Sequence, residues 1–337
     1  MDKKVVLTGI STTGTPHIGN YVGAIRPAIE ASRNKDVWPF YFLADYHALV
    51  KCHDPIILRQ STLEVAATWL ALGLDTDNCI FYRQSDIPEI MELTWMLMCL
   101  TAKGLMNRAH AYKAAVAVND EKRAKDPDKG ISMGLYNYPV LMAADILMFK
   151  AHEVPVGKDQ VQHLEMARDI AQRFNHIFGE HFVLPEAVTD EKTAVLSGLD
   201  GRKMSKSYNN TIPLFESPQK LRKLIMKIKT NSQPPEEPKD PDNCTLFAIY
   251  QAIASQEETR TLRQRYAAGI GWGEMKQILF EYLDGHLSLA REKYSKLLKS
   301  PEHIEQALQE GASKARKISV PFLEELRRAI GVQALNR

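Results

Sequence analysis

The chain opens with a short apolar run, VVL at residues 5–7, which ends in the glycine-bearing segment TGISTTGTPHIGN. An unbroken apolar run of this length, bounded by turn residues, reads as a buried strand entering a loop. Helical spacing follows over residues 21–31. The aromatic run WPFYFLAD, residues 38–45, reads as a second buried strand, and residues 56–73 as an amphipathic helix stopped by Gly73. Residues 79–82 predict a third strand and residues 88–105 another helix. Residues 117–131, AVNDEKRAKDPDKGI, are charged and carry no period, so they predict a surface excursion. Helix resumes over 138–149, EVPVG at 153–157 predicts a short strand, and 158–175 a helix with Val161, Leu164, Met166 or Ala167 and Ile170 on one face. HFVLPEAV, residues 181–188, predicts a further strand.

Buried strands alternating with helices specify an α/β fold: a Rossmann-type, doubly wound parallel sheet with helices on both faces. Ligands bind such sheets at the carboxyl ends of the strands, where the loop at residues 9–20 lies. Past residue 211 the texture changes to almost continuous helix, interrupted by the proline-rich NSQPPEEPKDPDN. The expected organisation is a catalytic unit over 1–210 and a helical bundle over 211–337, the last helix free to pack back on the first unit.

Composition narrows the class without naming a function. Of 337 residues, 45% are hydrophobic and 25% charged, ordinary for a globular protein, so whole-chain disorder is excluded. A net charge of +2 requires that any nucleic-acid contact come from local basic clusters. Arg222, Lys223, Lys227 and Lys229 form one such stretch, and Lys314, Arg316 and Lys317 another; taken singly, each reads more readily as part of a solvated helix face than as a phosphate contact. Four cysteines form no C-x-x-C pair, which fits a reducing cytoplasm, and KCHD around Cys52 is a weak metal cluster at best. The apolar runs are too short or too interrupted to cross a membrane. The expected location is cytoplasmic.

Two polar segments carry the chemistry. In the first loop, glycines at 9, 14, 19 and 23 follow a strand and lead into a helix, where backbone N–H groups attract anions. Their spacing matches neither the P-loop nor the dinucleotide fingerprint, and a plain strand-to-helix turn explains them as well. PHIGN adds His17 and Asn20, three apart, as two donors at one edge of a helical turn. The second segment, DGRKMSKSYNN at 200–210, places Lys203 and Lys206 among small hydrogen-bonding residues. A lysine pair in a loop is commonly surface, but flexible ammonium groups also follow charge developing on a pyrophosphate.

HIGN followed by KMSKS resembles the signature pair of class I aminoacyl-tRNA synthetases. YPVLMAADILMF, VPVGKDQVQHLE and ARDIAQRFN between them look like bacterial tryptophanyl-tRNA synthetases, and the likeness runs nearly the whole chain to GASKA at 311–315. The resemblance implies ATP-dependent activation of L-tryptophan with Mg²⁺, transfer to tRNA(Trp), a helical anticodon-binding domain, and a homodimer. It implies ATP contacts at Ser11, Thr12, Thr13, Gly19, Asn20, Val195, Lys203, Met204, Ser205, Lys206 and Ser207, with His17 on the phosphate chain. Gly157, Lys158 and Asp159 match the ribose-holding segment, though Asp159 also reads as a helix N-cap. Asp145, inside an apolar helix, would accept the indole N–H, with Met142, Val154 and Val156 along the ring. Tyr138, His47 and Gln160 match positions near the ammonium. The chain departs from the common bacterial pattern at Ser11 to Thr13, often Gln-Pro-Ser, at Leu7, often phenylalanine, at Lys158, often glutamate, and at HAYKAAV, 110–116.

Two other readings stay open on the sequence. A tyrosyl enzyme also pairs an aspartate with a polar ring, although Met142 favours tryptophan. A nucleotide- or tRNA-binding regulator without catalysis would keep the fold, although intact Lys203 and Lys206 count against it.

Overall fold

The computed structural model describes residues 3–189 and 196–335; Val195 lies outside them. Among the described residues, β1 (Lys4–Ser11), β2 (Val37–Ala44), β3 (Ile80–Arg83), β4 (Glu153–Pro155) and β5 (Glu186–Val188) form a parallel sheet in the order β3-β2-β1-β4-β5. The expected Rossmann-type sheet is thus present. β2 shows why its sequence is an unbroken apolar run. Phe40 and Phe42 enter one apolar cluster, Tyr41 and Leu43 the other, because successive side chains point to opposite faces and helices cover both.

The chain winds outward from β1 through β2 to β3, then crosses back to β4 on the other side of β1. The crevice at that reversal lies beyond the carboxyl ends of β1 and β4. β1 pairs with β2 in register from Lys4 with Val37 to Ser11 with Ala44, so the loops after both strands start level.

The helices between the strands are α1 (Ile18–Asn20), α2 (Arg26–Ser32), α3 (Asp45–Ala48), α4 (Pro55–Ala71), α5 (Pro88–Leu100), α6 (Lys103–Met106), α7 (His110–Glu121), α8 (Met133–Met148) and α9 (Val161–Phe178). After them come α10 (Pro218–Met226), α11 (Thr245–Gln251), α12 (Gln256–Ala268), α13 (Trp272–Lys299) and α14 (Pro301–Ala329).

Several expectations are corrected. The helix over 21–31 is interrupted by a π segment, Tyr21–Ile25, in which the Arg26 N–H reaches back to the Tyr21 carbonyl. Pro27 accounts for the break: it has no N–H for the Gly23 carbonyl, and its ring crowds that carbonyl. α4 is not amphipathic. Val65, Ala66, Ala67, Thr68, Trp69 and Ala71 are all buried, because α13 and α14 pack on α4 as well as the sheet. The supposed excursion at 117–131 begins as the last turns of α7, and the strand over 181–188 shrinks to β5. Val161 is only half-buried, whereas His163 sits buried on that helix face.

One apolar cluster runs from Tyr41 and Trp69 beneath the sheet, through Met204 and Ile212, to Phe247, Leu279 and Leu308. α14 returns to the sheet and lies against edge strand β3 so closely that a Cβ on Gly311 would stand 1.7 Å from the Phe81 carbonyl oxygen. Covering β3 in this way removes an open edge. Lys314 donates to the Thr76 carbonyl at 2.9 Å and Arg316 pairs with Glu89 at 2.7 Å. Two cations of the second basic stretch therefore tie the helix to the sheet unit while staying exposed to solvent.

Candidate active site

The first loop leaves β1 and turns into α1 through a reciprocal cap. The Asn20 N–H donates to His17 Nδ1 at 3.3 Å, and the His17 N–H donates to Asn20 Oδ1 at 3.1 Å. This arrangement consumes acceptors and leaves donors. With Nδ1 accepting, the proton of a neutral His17 ring resides on Nε2, and Asn20 keeps its NH₂ free. Burial, followed by the Lys206 ammonium, pushes the His17 pKa down to about 4. The ring is therefore a neutral hydrogen-bond donor at physiological pH, not a cation. α4 holds the loop from behind: Ser61 accepts the Gly14 N–H at 3.0 Å, and Thr15 donates to Glu64 at 2.6 Å. Gly14 has φ +69°, the left-handed conformation that glycine adopts without strain.

The two signature segments meet through backbone bonds just beyond the lysine loop. The Ile18 N–H donates to the Ile212 carbonyl at 2.9 Å, and the Leu214 N–H to the Pro16 carbonyl at 3.0 Å. Between them lies a cleft of about 780 Å³, lined on one side by Ser11, Thr13, His17, Gly19 and Asn20, and on the other by Lys203, Met204, Ser205, Lys206 and Ser207. Thr12 is the exception, 1% exposed behind the loop. Trp69 lines the cleft with its indole nitrogen buried and lacking a protein partner.

The lysine loop is organised by two residues. Met204, 5% exposed, is anchored in the apolar cluster, its sulfur 3.5 Å from where a Gly19 Cβ would be. Asn210, 2% exposed, accepts the Ser205 N–H at 2.8 Å and donates to Asp200 at 2.7 Å and to the Lys203 carbonyl at 3.1 Å. Lys206 crosses the cleft and donates to the Thr13 carbonyl. Burial lowers its pKa, and Glu64 opposes that shift. Lys203 stays exposed on the rim, its backbone bridged to Ser197.

A second polar group gathers at the ends of β2 and β3. Asp145 on α8 is 0% exposed, yet both its oxygens are engaged. Gln84 Nε2 donates to them at 2.8 and 2.9 Å, and His47 Nε2 lies 2.9 Å from Oδ2. The Gln84 amide has one possible orientation, because its oxygen accepts the Tyr46 N–H at 3.1 Å. Burial raises the Asp145 pKa, His47 and Gln84 pull it back, and Asp45 adds to the rise. Val154 of β4 belongs to an apolar cluster, and Met142, one helical turn before Asp145, and Val156, just past β4, pack against it half-buried. His47 stands between this group and the next, its ring edge-on to Tyr138 at 6.2 Å.

The third group follows β4. The turn Lys158–Gln160 precedes α9, and Gln160, not Asp159, is the N-cap, without a side-chain cap bond. The N-cap reading of Asp159 is thus overturned. The chain bends here before α9 starts, and the Asp159 carboxylate turns to its neighbour, accepting from Gln160 Nε2 at 2.8 Å. A Cβ on Gly157 would stand 2.7 Å from Asp159 Oδ1, so only glycine leaves that carboxylate its place. Lys158 shares the turn. Gln160 Oε1 is 3.0 Å from His163 Nδ1, and His163 Nε2 is 2.7 Å from the Tyr138 hydroxyl.

Gln84, His163 and Asn210 were missed by the sequence reading. Gln84 carried a usable signal, a polar residue directly after a buried strand at the ligand-binding edge. His163 lay hidden among apolar helix positions, and Asn210 in a loop where nothing is periodic.

Among the described residues, no group of three or more His, Cys, Asp or Glu is placed to hold a metal. The polar side chains of the cleft are hydroxyls, the Asn20 amide, the His17 imidazole and two lysines, with no carboxylate among the lining residues, a set that fits a metal carried on phosphate oxygens.

The sequence profile described as tRNA synthetases class I (W and Y) matches residues 2–288. A tryptophan–tRNA ligase of Pseudomonas aeruginosa is 62% identical over 333 residues, spanning 98% of this chain and 74% of that protein. One from Neisseria meningitidis is 58% identical over 335 residues, 99% of this chain and 100% of its own length. A crystal structure of Campylobacter jejuni tryptophanyl-tRNA synthetase, complexed with ADP and tryptophan, superposes with a TM-score of 0.89 at 45% identity, covering 97% of this chain and 99% of that one. Matched by that profile over residues 2–288 and by these relatives along nearly its whole length, the chain belongs to the tryptophanyl-tRNA synthetases of class I.

Proposed function

We propose that the chain joins L-tryptophan to ATP, forming tryptophanyl-adenylate and pyrophosphate, and then transfers tryptophan to tRNA(Trp). The observation that carries the amino-acid choice is Asp145, a buried carboxylate held by Gln84 and His47 beside Met142. The indole N–H is a donor suited to it, and the apolar cluster suits the ring. The ammonium goes to Tyr138 and Gln160.

The tryptophan carboxylate attacks the α-phosphate as an anion, so no general base is required. Catalysis is then positioning together with stabilisation of charge on the phosphates. His17 and Asn20 offer neutral donors from one wall of the cleft. Lys206 leaves the Thr13 carbonyl for the pyrophosphate, and Lys203 approaches from the rim. Mg²⁺ arrives with ATP as part of the substrate and supplies further charge neutralisation on the phosphates. Ribose hydroxyls meet Gly157 to Asp159, whose carboxylate is the acceptor there. Residues 211–337 serve tRNA, and two chains act as a homodimer in the cytoplasm.

The test is amino-acid-dependent ATP–pyrophosphate exchange. Exchange with tryptophan alone is expected. Activity with tyrosine but not tryptophan would overturn the substrate, and ATP binding without exchange for any amino acid would leave a binding protein. Sedimentation as a stable monomer would count against the dimer.

A further inference from the structure

We infer that His163 is a positioning residue that sets the hydrogen-bond polarity of the amino-acid pocket, obliging the Tyr138 hydroxyl to present only acceptor lone pairs to the substrate ammonium. This rests on the reading that Tyr138 and Gln160 face that ammonium.

The argument starts at Asp159, whose ionised carboxylate can only accept. Gln160 must therefore turn its NH₂ toward it, at 2.8 Å, which leaves Oε1 facing His163 Nδ1 at 3.0 Å. A carbonyl oxygen has no proton to give, so Nδ1 carries the N–H. A neutral imidazole has one N–H, and Nε2 is then a bare acceptor. The Tyr138 hydroxyl, 2.7 Å away, has to donate into it. Every donor along Tyr138–His163–Gln160–Asp159 thus points toward Asp159, and the Tyr138 oxygen has nothing left but lone pairs. An ammonium, which only donates, meets its complement.

The surroundings keep the chain in this sense. His163 is 2% exposed. Burial, then His110 on α7 and His47 on α3, hold it below the usual histidine range, while Asp159 acts the other way. Burial and Asp159 push the Tyr138 phenol up to about 12, so it keeps its proton. If His163 gains a second proton, Nε2–H donates to the Tyr138 oxygen. The phenol hydrogen then turns outward, against the ammonium.

The experiment compares dissociation constants of L-tryptophan and indole-3-propionate, which keeps the ring and lacks the amine, by equilibrium dialysis with the full chain. His163→Phe is expected to weaken tryptophan about ten- to a hundredfold, the range for hydrogen bonds to charged groups, and indole-3-propionate less than about twofold. His163→Gln, whose amide accepts from Tyr138 and donates to Gln160, restores most of the loss. Wild-type affinity for tryptophan falls on acidification below neutral pH while that for indole-3-propionate does not. This pH comparison carries the test by itself if the phenylalanine variant does not fold. Equal weakening of both ligands, no weakening, or no difference in their pH dependence overturns the inference. Tyr138→Phe separates the two levels. If it selectively weakens tryptophan while His163→Phe does not, the polarity argument fails and the pocket stands. If it selects for neither ligand, the ammonium reading fails as well.

Discussion

Asp145 has two oxygens and already meets two protein donors, Gln84 and His47. The indole N–H of the proposed substrate would make a third. Asparagine in its place offers one acceptor oxygen to the same donors and adds an NH₂ that opposes them. Asp145→Asn is therefore expected to raise the tryptophan KM in exchange roughly 10- to 100-fold, a charged hydrogen bond's worth of about 1.5–3 kcal/mol. An analogue with sulfur in place of the indole N–H should lose affinity for the wild type and be no worse than tryptophan for the variant. Undiminished discrimination in the variant would remove Asp145 from the indole. Lys206 makes a different demand. In the proposed mechanism its charge matters most when pyrophosphate departs, so Lys206→Ala should lower the exchange kcat by about 10²-fold or more while leaving the tryptophan dissociation constant within about twofold. Comparable losses in both would contradict a transition-state role. The sequence exposed both residues because each is out of place locally: a carboxylate in an apolar helix, and a lysine in a loop of small polar residues. Gln84 and Asn210, ordinary in their own neighbourhoods, were not visible.

α14 illustrates what periodicity misses at the scale of an element. Its amphipathic pattern is readable in the sequence, but the surface it covers is not. Gly311 sits where a Cβ would be 1.7 Å from the Phe81 carbonyl oxygen and 2.5 Å from the Phe81 carbonyl carbon. On an exposed helix, Gly→Ala gains about 1 kcal/mol from helix propensity. Here the added methyl meets rigid strand backbone, so Gly311→Ala should destabilise, by about 3 kcal/mol or more, as α14 lifts from β3. Urea unfolding measures this, and a midpoint equal to or above that of the wild type would mean that the helix has room. The π segment Tyr21–Ile25 is the same lesson beside the cleft. Helical spacing was legible over these residues, whereas the wider turn follows from Pro27 and its clash with the preceding carbonyl.

For the whole molecule, stability should carry an acid-labile component from histidines buried in neutral form. Burial lowers the pKa of His17, His163 and His286. A histidine near 6.5 when unfolded and lower when folded binds more protons in the unfolded state across the interval between the two values. Its contribution is complete above about 6.5 and is lost as the pH falls toward the folded value, which for His17 is about 4. Asp145, raised by burial, acts in the opposite sense, so the histidine part is best isolated by difference. The stability lost by the wild type between pH 6.5 and pH 4 should exceed that lost by His17→Asn, as measured by urea midpoints. Parallel curves would mean that His17 titrates normally in the folded chain.

Alternating buried strands and helices, the helical texture past residue 211, two polar loops with the character of an anion site, and one aspartate among apolar neighbours were determined by the sequence alone. Each is a local property of side-chain period and chemistry, present before the chain folds. Tertiary structure alone decided which groups complete one another. Gln84 reaches Asp145 across 61 residues, His47 reaches it across 98, and Lys206 reaches Thr13 across 193. No period within a segment encodes such contacts. They exist because the sheet brings the carboxyl ends of its strands to one edge, where proton direction and charge are settled by whichever neighbours arrive.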